Sequence, residues 1–203
     1  RVEDKENLGD LYIKMVTITA LLVLPIFMGL AAIADPFVTI AFGEKFSPSA
    51  EYMVITSFAM FPSVVAWVLP NLLIARGKTK DAFYLTLLNL FASIVVAGAT
   101  IWFGIKIMLI STVIAGFISL PIRLLITKKH VPLNLKRLFI SLMPPCFSSL
   151  GMYLCLILLK PHLTSWIAND ILLIMALVVF GVVVYPLIYS LVFFKSVKRN
   201  LEE

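Results

Sequence analysis

Charge is scarce in this chain, cysteine and histidine are scarcer, and motifs of the common enzyme classes are missing altogether. Charged residues make up 14% of the 203, while hydrophobic residues reach 61%; an ordinary soluble domain has about 25% and about 45–50%. A water-soluble core cannot absorb that surplus. The two cysteines, Cys146 and Cys155, lie nine residues apart in one apolar block, where a single helix holds them beyond disulfide reach. No oxidised framework and no metal site follows from them. The two histidines, His130 and His162, fall on opposite sides of the membrane in the topology derived below, so they cannot share a metal or a proton. There is no glycine-rich phosphate loop, no HExxH and no nucleophile elbow. The sequence therefore gives no reason to expect an enzyme or a cofactor.

What is present is a set of apolar blocks. They run over about 11–33, 52–75, 82–103, 107–127, 138–159 and 171–194, and a helix needs about 20 such residues to cross about 30 Å of hydrocarbon. The fold class expected is thus all-α: a polytopic membrane helix bundle of six transmembrane helices in a single transmembrane domain over 1–203. The connections are short, which makes neighbouring helices antiparallel.

The formal net charge of +6 does not point to nucleic acid, because the basic residues cluster at block ends rather than along one polar face. They fix orientation instead. Arg1, Lys5, Lys14, Arg76, Lys78, Lys80, Arg123, Lys128, Lys129, Lys136, Arg137, Lys195, Lys198 and Arg199 fall on one side, and Lys45, Lys106 and Lys160 on the other. Fourteen against three places the first side, and with it both termini, in the cytosol. A missed or invented span would have scattered these clusters, so the asymmetry also tests the helix count. Tyr12, Phe83, Tyr84 and Phe139 on the cytosolic side, with Phe46, Tyr52, Trp102 and Trp166 on the other, stand where interfacial aromatic anchors belong.

Seven of the eleven prolines lie inside the predicted spans. Each frees a backbone carbonyl that must find another donor in lipid. Pro25, Pro144 and Pro145 are the hinge candidates, the adjacent pair because it removes two donors within one turn. A bend fixed in place and a moving hinge both fit the sequence. No acidic or basic residue sits at the centre of a span; Lys14 and Arg123 are close enough to cytosolic ends to snorkel. The neutral amides Asn71 and Asn89, with Thr86 and Ser93 at helical spacing from Asn89, either line a hydrated pathway or bond between helices. Asn71, Asn89, Ser93 and Arg123 are the substrate-pathway candidates. Ser93 with Ala97, and Ala115 with Ser119, are small residues four apart that allow close helix approach. The segment ADPFVTIAFGEKFSPSAEY is expected to lie along the external interface and to turn at Gly43.

The order of these features resembles the C-terminal half of bacterial polysaccharide-export flippases. LLVLPIFMGLAAIADPFVTIAFGEKFSPSAEYM is followed by a helix ending in LLIARGKTKDAFY and another ending in IWFGIK. The family phrase between two helices is matched by Leu72, Leu73, Ala75, Arg76, Gly77 and Lys78, and a second phrase by Phe42, Gly43, Glu44, Lys45 and Phe46. The resemblance covers nearly the whole chain and makes it the last six helices of a protein of twelve to fourteen. The polar start at Arg1, with neither an initiator Met nor a signal peptide, agrees with that expectation. Membership implies translocation of undecaprenyl-diphosphate-linked oligosaccharide across the bacterial cytoplasmic (inner) membrane, for O-antigen, capsule or exopolysaccharide assembly. The implied partners are the lipid-linked oligosaccharide, membrane lipids and polysaccharide assembly proteins. One departure stands out, since cations that would meet a diphosphate are not visible within the spans. The alternatives are a cation-coupled small-molecule exporter of the same superfamily, a polymerase or glycosyltransferase subunit, and a membrane scaffold that does not transport.

Overall fold

An apolar segment in hydrocarbon has no water to bond its backbone, so it closes its own hydrogen bonds as a helix. The computed structural model describes residues 3–167 and 169–200, and among them every long element is helical and no strand occurs. Arg1, counted above among the cytosolic cations, lies outside the described residues. The helices are α1 (Glu3–Ala32), α2 (Ala34–Phe42), α3 (Ser49–Phe58), α4 (Met60–Ala66), α5 (Leu69–Ala75), α6 (Thr79–Thr100), α7 (Ile105–Lys128), α8 (Leu135–Trp166) and α9 (Asp170–Asn200). Five of them are long and apolar enough to cross a membrane, and α3 with the α4–α5 stretch, bent by 41°, brings the number to six when the pair is taken as one span. The chain is an all-α, multi-pass membrane protein.

The span expected as one helix over 52–75 is in fact three pieces. Proline explains each break, because its ring clashes with the carbonyl four residues back and it has no N–H to bond it. Pro62 stands four residues after Phe58, the last residue of α3, and Pro70 four residues after Ala66, the last residue of α4. Three further segments are also more helical than the sequence suggested. The segment after Ile33 forms α2, closes at Gly43 (φ 89°) and continues as a 3-10 turn over Glu44–Phe46. The KPHLTSW link belongs to α8, which carries Pro161 inside it and ends at Trp166. The residues before Gly104 (φ 99°) form a 3-10 turn over Ile101–Phe103.

The helices group into two compact units, one of residues 1–20 and 59–141, the other of 21–58 and 142–203. α1 and α8 contribute to both, so the grouping is not a division into successive domains. In the first unit, Leu73, Ala82 and Leu85 form a buried cluster with Ile126 against it. The α5–α6 connection is pinned by backbone bonds from Lys78 N–H to the Leu73 carbonyl and from Gly77 N–H to the Ile74 carbonyl. That pairing is a Schellman motif, and it needs the left-handed conformation Gly77 adopts (φ 69°). His130 Nε2 lies 3.6 Å from Asp81 Oδ2, and Arg137 Nη1 donates to Asp10 Oδ1 at 2.6 Å. In the second unit, Ala34, Val38 and Ala50 are buried with Met53 and Val54 packed on them. Lys160 Nζ there donates to Asp35 Oδ2 at 2.6 Å.

Candidate functional site: a polar groove around Arg123

The breaks in the bent span leave backbone oxygens that the helix cannot satisfy, and two side chains from other helices of the first unit reach them. The Tyr12 hydroxyl, on α1, donates to the Val65 carbonyl at 2.9 Å. Arg123, on α7, donates through Nη2 to the Ala66 carbonyl at 3.4 Å and through Nη1 to Asn89 Oδ1 at 3.2 Å. Ala66 is the residue whose carbonyl Pro70 orphans. These contacts correct two expectations. Tyr12 is not an interfacial anchor, since it is 1% exposed, whereas Phe83, Tyr84, Phe139, Trp102 and Trp166 are well exposed. Nor does Arg123 snorkel: its side chain turns inward and is 9% exposed, because two oxygen acceptors inside the unit offer what the interface would otherwise supply.

Around the guanidinium lies a groove of about 210 Å³, bordered by Pro62, Ser63, Ala66 and Trp67 from the bent span, Asn89 and Ser93 from α6, and Thr112, Gly116, Ser119 and Arg123 from α7. It exists because α7 carries small residues where it meets α4. A Cβ on Gly116 would sit 3.3 Å from Pro62 Cγ, so any larger residue there pushes the two elements apart. Of the small residues singled out at four-residue spacing, Ser93, Ala115 and Ser119 line this groove and Ala97 does not.

Its electrostatics are one-sided. Asp81 is the only carboxylate between Glu51 and Asp170, and it faces His130. Among the described residues Arg123 has no acidic partner. Its Nε is buried and bonds nothing. A guanidinium held at membrane depth by neutral oxygens alone keeps its charge uncompensated, and the groove beside it suits an anion of headgroup size. With about 210 Å³ it is smaller than the about 300–1,000 Å³ of typical small-molecule pockets.

Three of the four pathway candidates thus come together, Asn89, Ser93 and Arg123, while Asn71 is exposed on α5 and does not line the groove. Thr86 turns its hydroxyl onto its own helix, donating to the Ala82 carbonyl at 3.0 Å. The cation missing from the span centres is supplied from a span end, a possibility the sequence showed only as a snorkelling arginine. Tyr12 and Trp67 were not identified as site residues from sequence. Pro70 marked the Ala66 carbonyl that Arg123 reaches, but nothing marked the Val65 carbonyl or the tyrosine that reaches it.

The hinge candidates lie in the second unit. Pro25 interrupts the hydrogen bonding of α1 without ending it, and it orphans the Leu21 carbonyl; the Tyr185 hydroxyl donates to that oxygen at 3.0 Å. Pro25 and Tyr185 also border an apolar groove of about 460 Å³ between α1, α8 and α9, with Gly29, Met152, Leu156 and Gly181 among its walls. Pro144 and Pro145 are buried within a continuous α8. Among the described residues no three His, Cys, Asp or Glu gather as a metal site would require.

Residues 1–51 match the model of a protein family described as polysaccharide biosynthesis protein. That stretch comprises α1, α2 and the start of α3, and in it the chain is similar to that family. Searches among curated proteins and among solved structures find no match.

Proposed function

We propose that this protein takes part in translocating a lipid-linked oligosaccharide, a glycan carried on a polyprenyl diphosphate, across the bacterial cytoplasmic membrane. The products served are O-antigen, capsule or exopolysaccharide. The observation that carries this reading is the match of residues 1–51 to a polysaccharide biosynthesis family. The groove supports it, because a glycan-diphosphate carries an anionic, hydrogen-bonding head. Arg123, Asn89 and Ser93 present one cation and neutral hydrogen-bonding groups to the diphosphate. No bond is made or broken in this role, so no catalytic group is assigned. A cation-coupled exporter is less well supported, since coupling needs an acidic residue within a span and Asp81 is the only carboxylate from 52 to 169.

Reconstitution tests the proposal. With the purified protein in vesicles, a labelled polyprenyl-diphosphate oligosaccharide is expected to move from one leaflet to the other, and Arg123→Gln to slow that movement strongly. Transfer no faster than in protein-free vesicles would count against it.

A further inference from the structure

The groove contains a competition between two claims on one guanidinium. Pro70 removes the N–H that would bond the Ala66 carbonyl, and Arg123 Nη2 takes its place at 3.4 Å. That contact is long for an N–H···O bond, whose usual range is about 2.7–3.2 Å, and its acceptor is neutral. The adjacent Val65 carbonyl is held independently by Tyr12 at 2.9 Å. Only the Ala66 oxygen depends on Arg123. The residues between the two helical pieces keep nearly helical backbones, Trp67 at φ −65°, ψ −31° and Val68 at φ −84°, ψ −20°. The break is therefore a loss of helical hydrogen bonds with little change of backbone path.

A phosphate oxygen makes a charge-assisted bond to guanidinium roughly twice as strong as a neutral one and accepts from two N–H groups at once. Arg123 has a buried Nε without a partner beside an Nη2 that is weakly engaged. An anion in the groove would occupy both. From this geometry we infer that Arg123 is a latch with two positions: bound to the Ala66 carbonyl it steadies the break between α4 and α5 at Trp67–Val68, and bound to a phosphate-bearing headgroup it releases that carbonyl and frees the break to change. Loading of the groove is thereby coupled to the shape of the second span. The inference rests on the anion-binding reading of the groove.

The reporter is already in place, because Trp67 stands at the break between α4 and α5, borders the groove and is 58% exposed. With Trp102→Phe and Trp166→Phe, Trp67 becomes the sole indole of the three tryptophans. The protein in zwitterionic nanodiscs is titrated with inorganic pyrophosphate, and separately with a polyprenyl diphosphate in the same nanodiscs, to distinguish a free anion from a lipid headgroup. Either probe is expected to shift Trp67 emission. Pro70→Ala returns an N–H to the Ala66 carbonyl and takes away Arg123's acceptor. It is expected to bind the probe about two- to tenfold more tightly, the worth of one hydrogen bond, and to lose most of the emission shift. Wild-type affinity and a wild-type shift in Pro70→Ala would overturn the latch while leaving the anion site standing. No binding of either probe to the unsubstituted protein would overturn both. Response to the lipid probe alone would keep the latch and assign it to the lipid headgroup.

Discussion

At the scale of single residues, the recurring device is a side chain that repairs a carbonyl orphaned by proline. In water such an oxygen would bond solvent, but in a bilayer it must find a protein donor or remain unsatisfied at about 1–3 kcal/mol. Tyr185 does this for Leu21 at 3.0 Å. Tyr185→Phe is expected to lower stability by about 0.5–2 kcal/mol, measured by thermal unfolding in detergent. The mechanism is checked by a cycle: Pro25→Ala restores the N–H that Leu21 lacks, so the same Tyr185→Phe change in that background should cost almost nothing. A full loss there would mean that Tyr185 acts through packing and not through the carbonyl. The Leu21 and Ala66 carbonyls were legible in advance, since each lies four residues before a proline, whereas the Val65 carbonyl lies five before Pro70 and was not. The donors were not, because Leu21 and Tyr185 are 164 residues apart and nothing in either local sequence names the other. Arg123 was legible as a lone cation near a span end and illegible as a groove residue for the same reason.

At the scale of elements, the bent span is where structure and sequence differ most. Its hydropathy is that of one continuous helix, and hydropathy is blind to the N–H groups that Pro62 and Pro70 remove. The break at Pro62 is braced from outside by α7, whose Gly116 leaves just enough room for the proline ring. Gly116→Val would force branched methyl groups into that contact and is expected to cost about 1–3 kcal/mol by overpacking, while also narrowing the groove and weakening pyrophosphate binding. Stability and binding should fall together; loss of stability with binding intact would show that the α4–α7 approach does not shape the groove. The turn leaving α5 gives a second, independent reading. Gly77→Ala places a Cβ on a left-handed residue with no atom within 4 Å of it, so its cost is conformational alone, about 1 kcal/mol. A melting temperature unchanged by Gly77→Ala would mean that this turn adapts without its glycine.

At the scale of the whole molecule, the architecture was the most legible part, because membrane spans are set by bulk solvation rather than by specific partners. Six apolar blocks predicted six crossings, and five long helices plus one bent pair account for them. Long-range pairing, such as Asp10 with Arg137 or Asp35 with Lys160, was invisible because the ion pairs join residues more than 100 positions apart. Orientation is a different kind of statement, since it rests on where cations are retained during insertion. α7 offers the sharpest test of it. Its 24 residues span about 36 Å, with Lys106 at one end and Lys128 and Lys129 at the other. By the charge asymmetry, Lys129 is cytosolic and Lys106 external. In a background with Cys146→Ser and Cys155→Ser, a membrane-impermeant thiol reagent added outside spheroplasts is expected to modify Lys106→Cys and to leave Lys129→Cys unmodified until the membrane is opened. The reverse pattern would invert every span; equal labelling of both would mean that α7 does not cross.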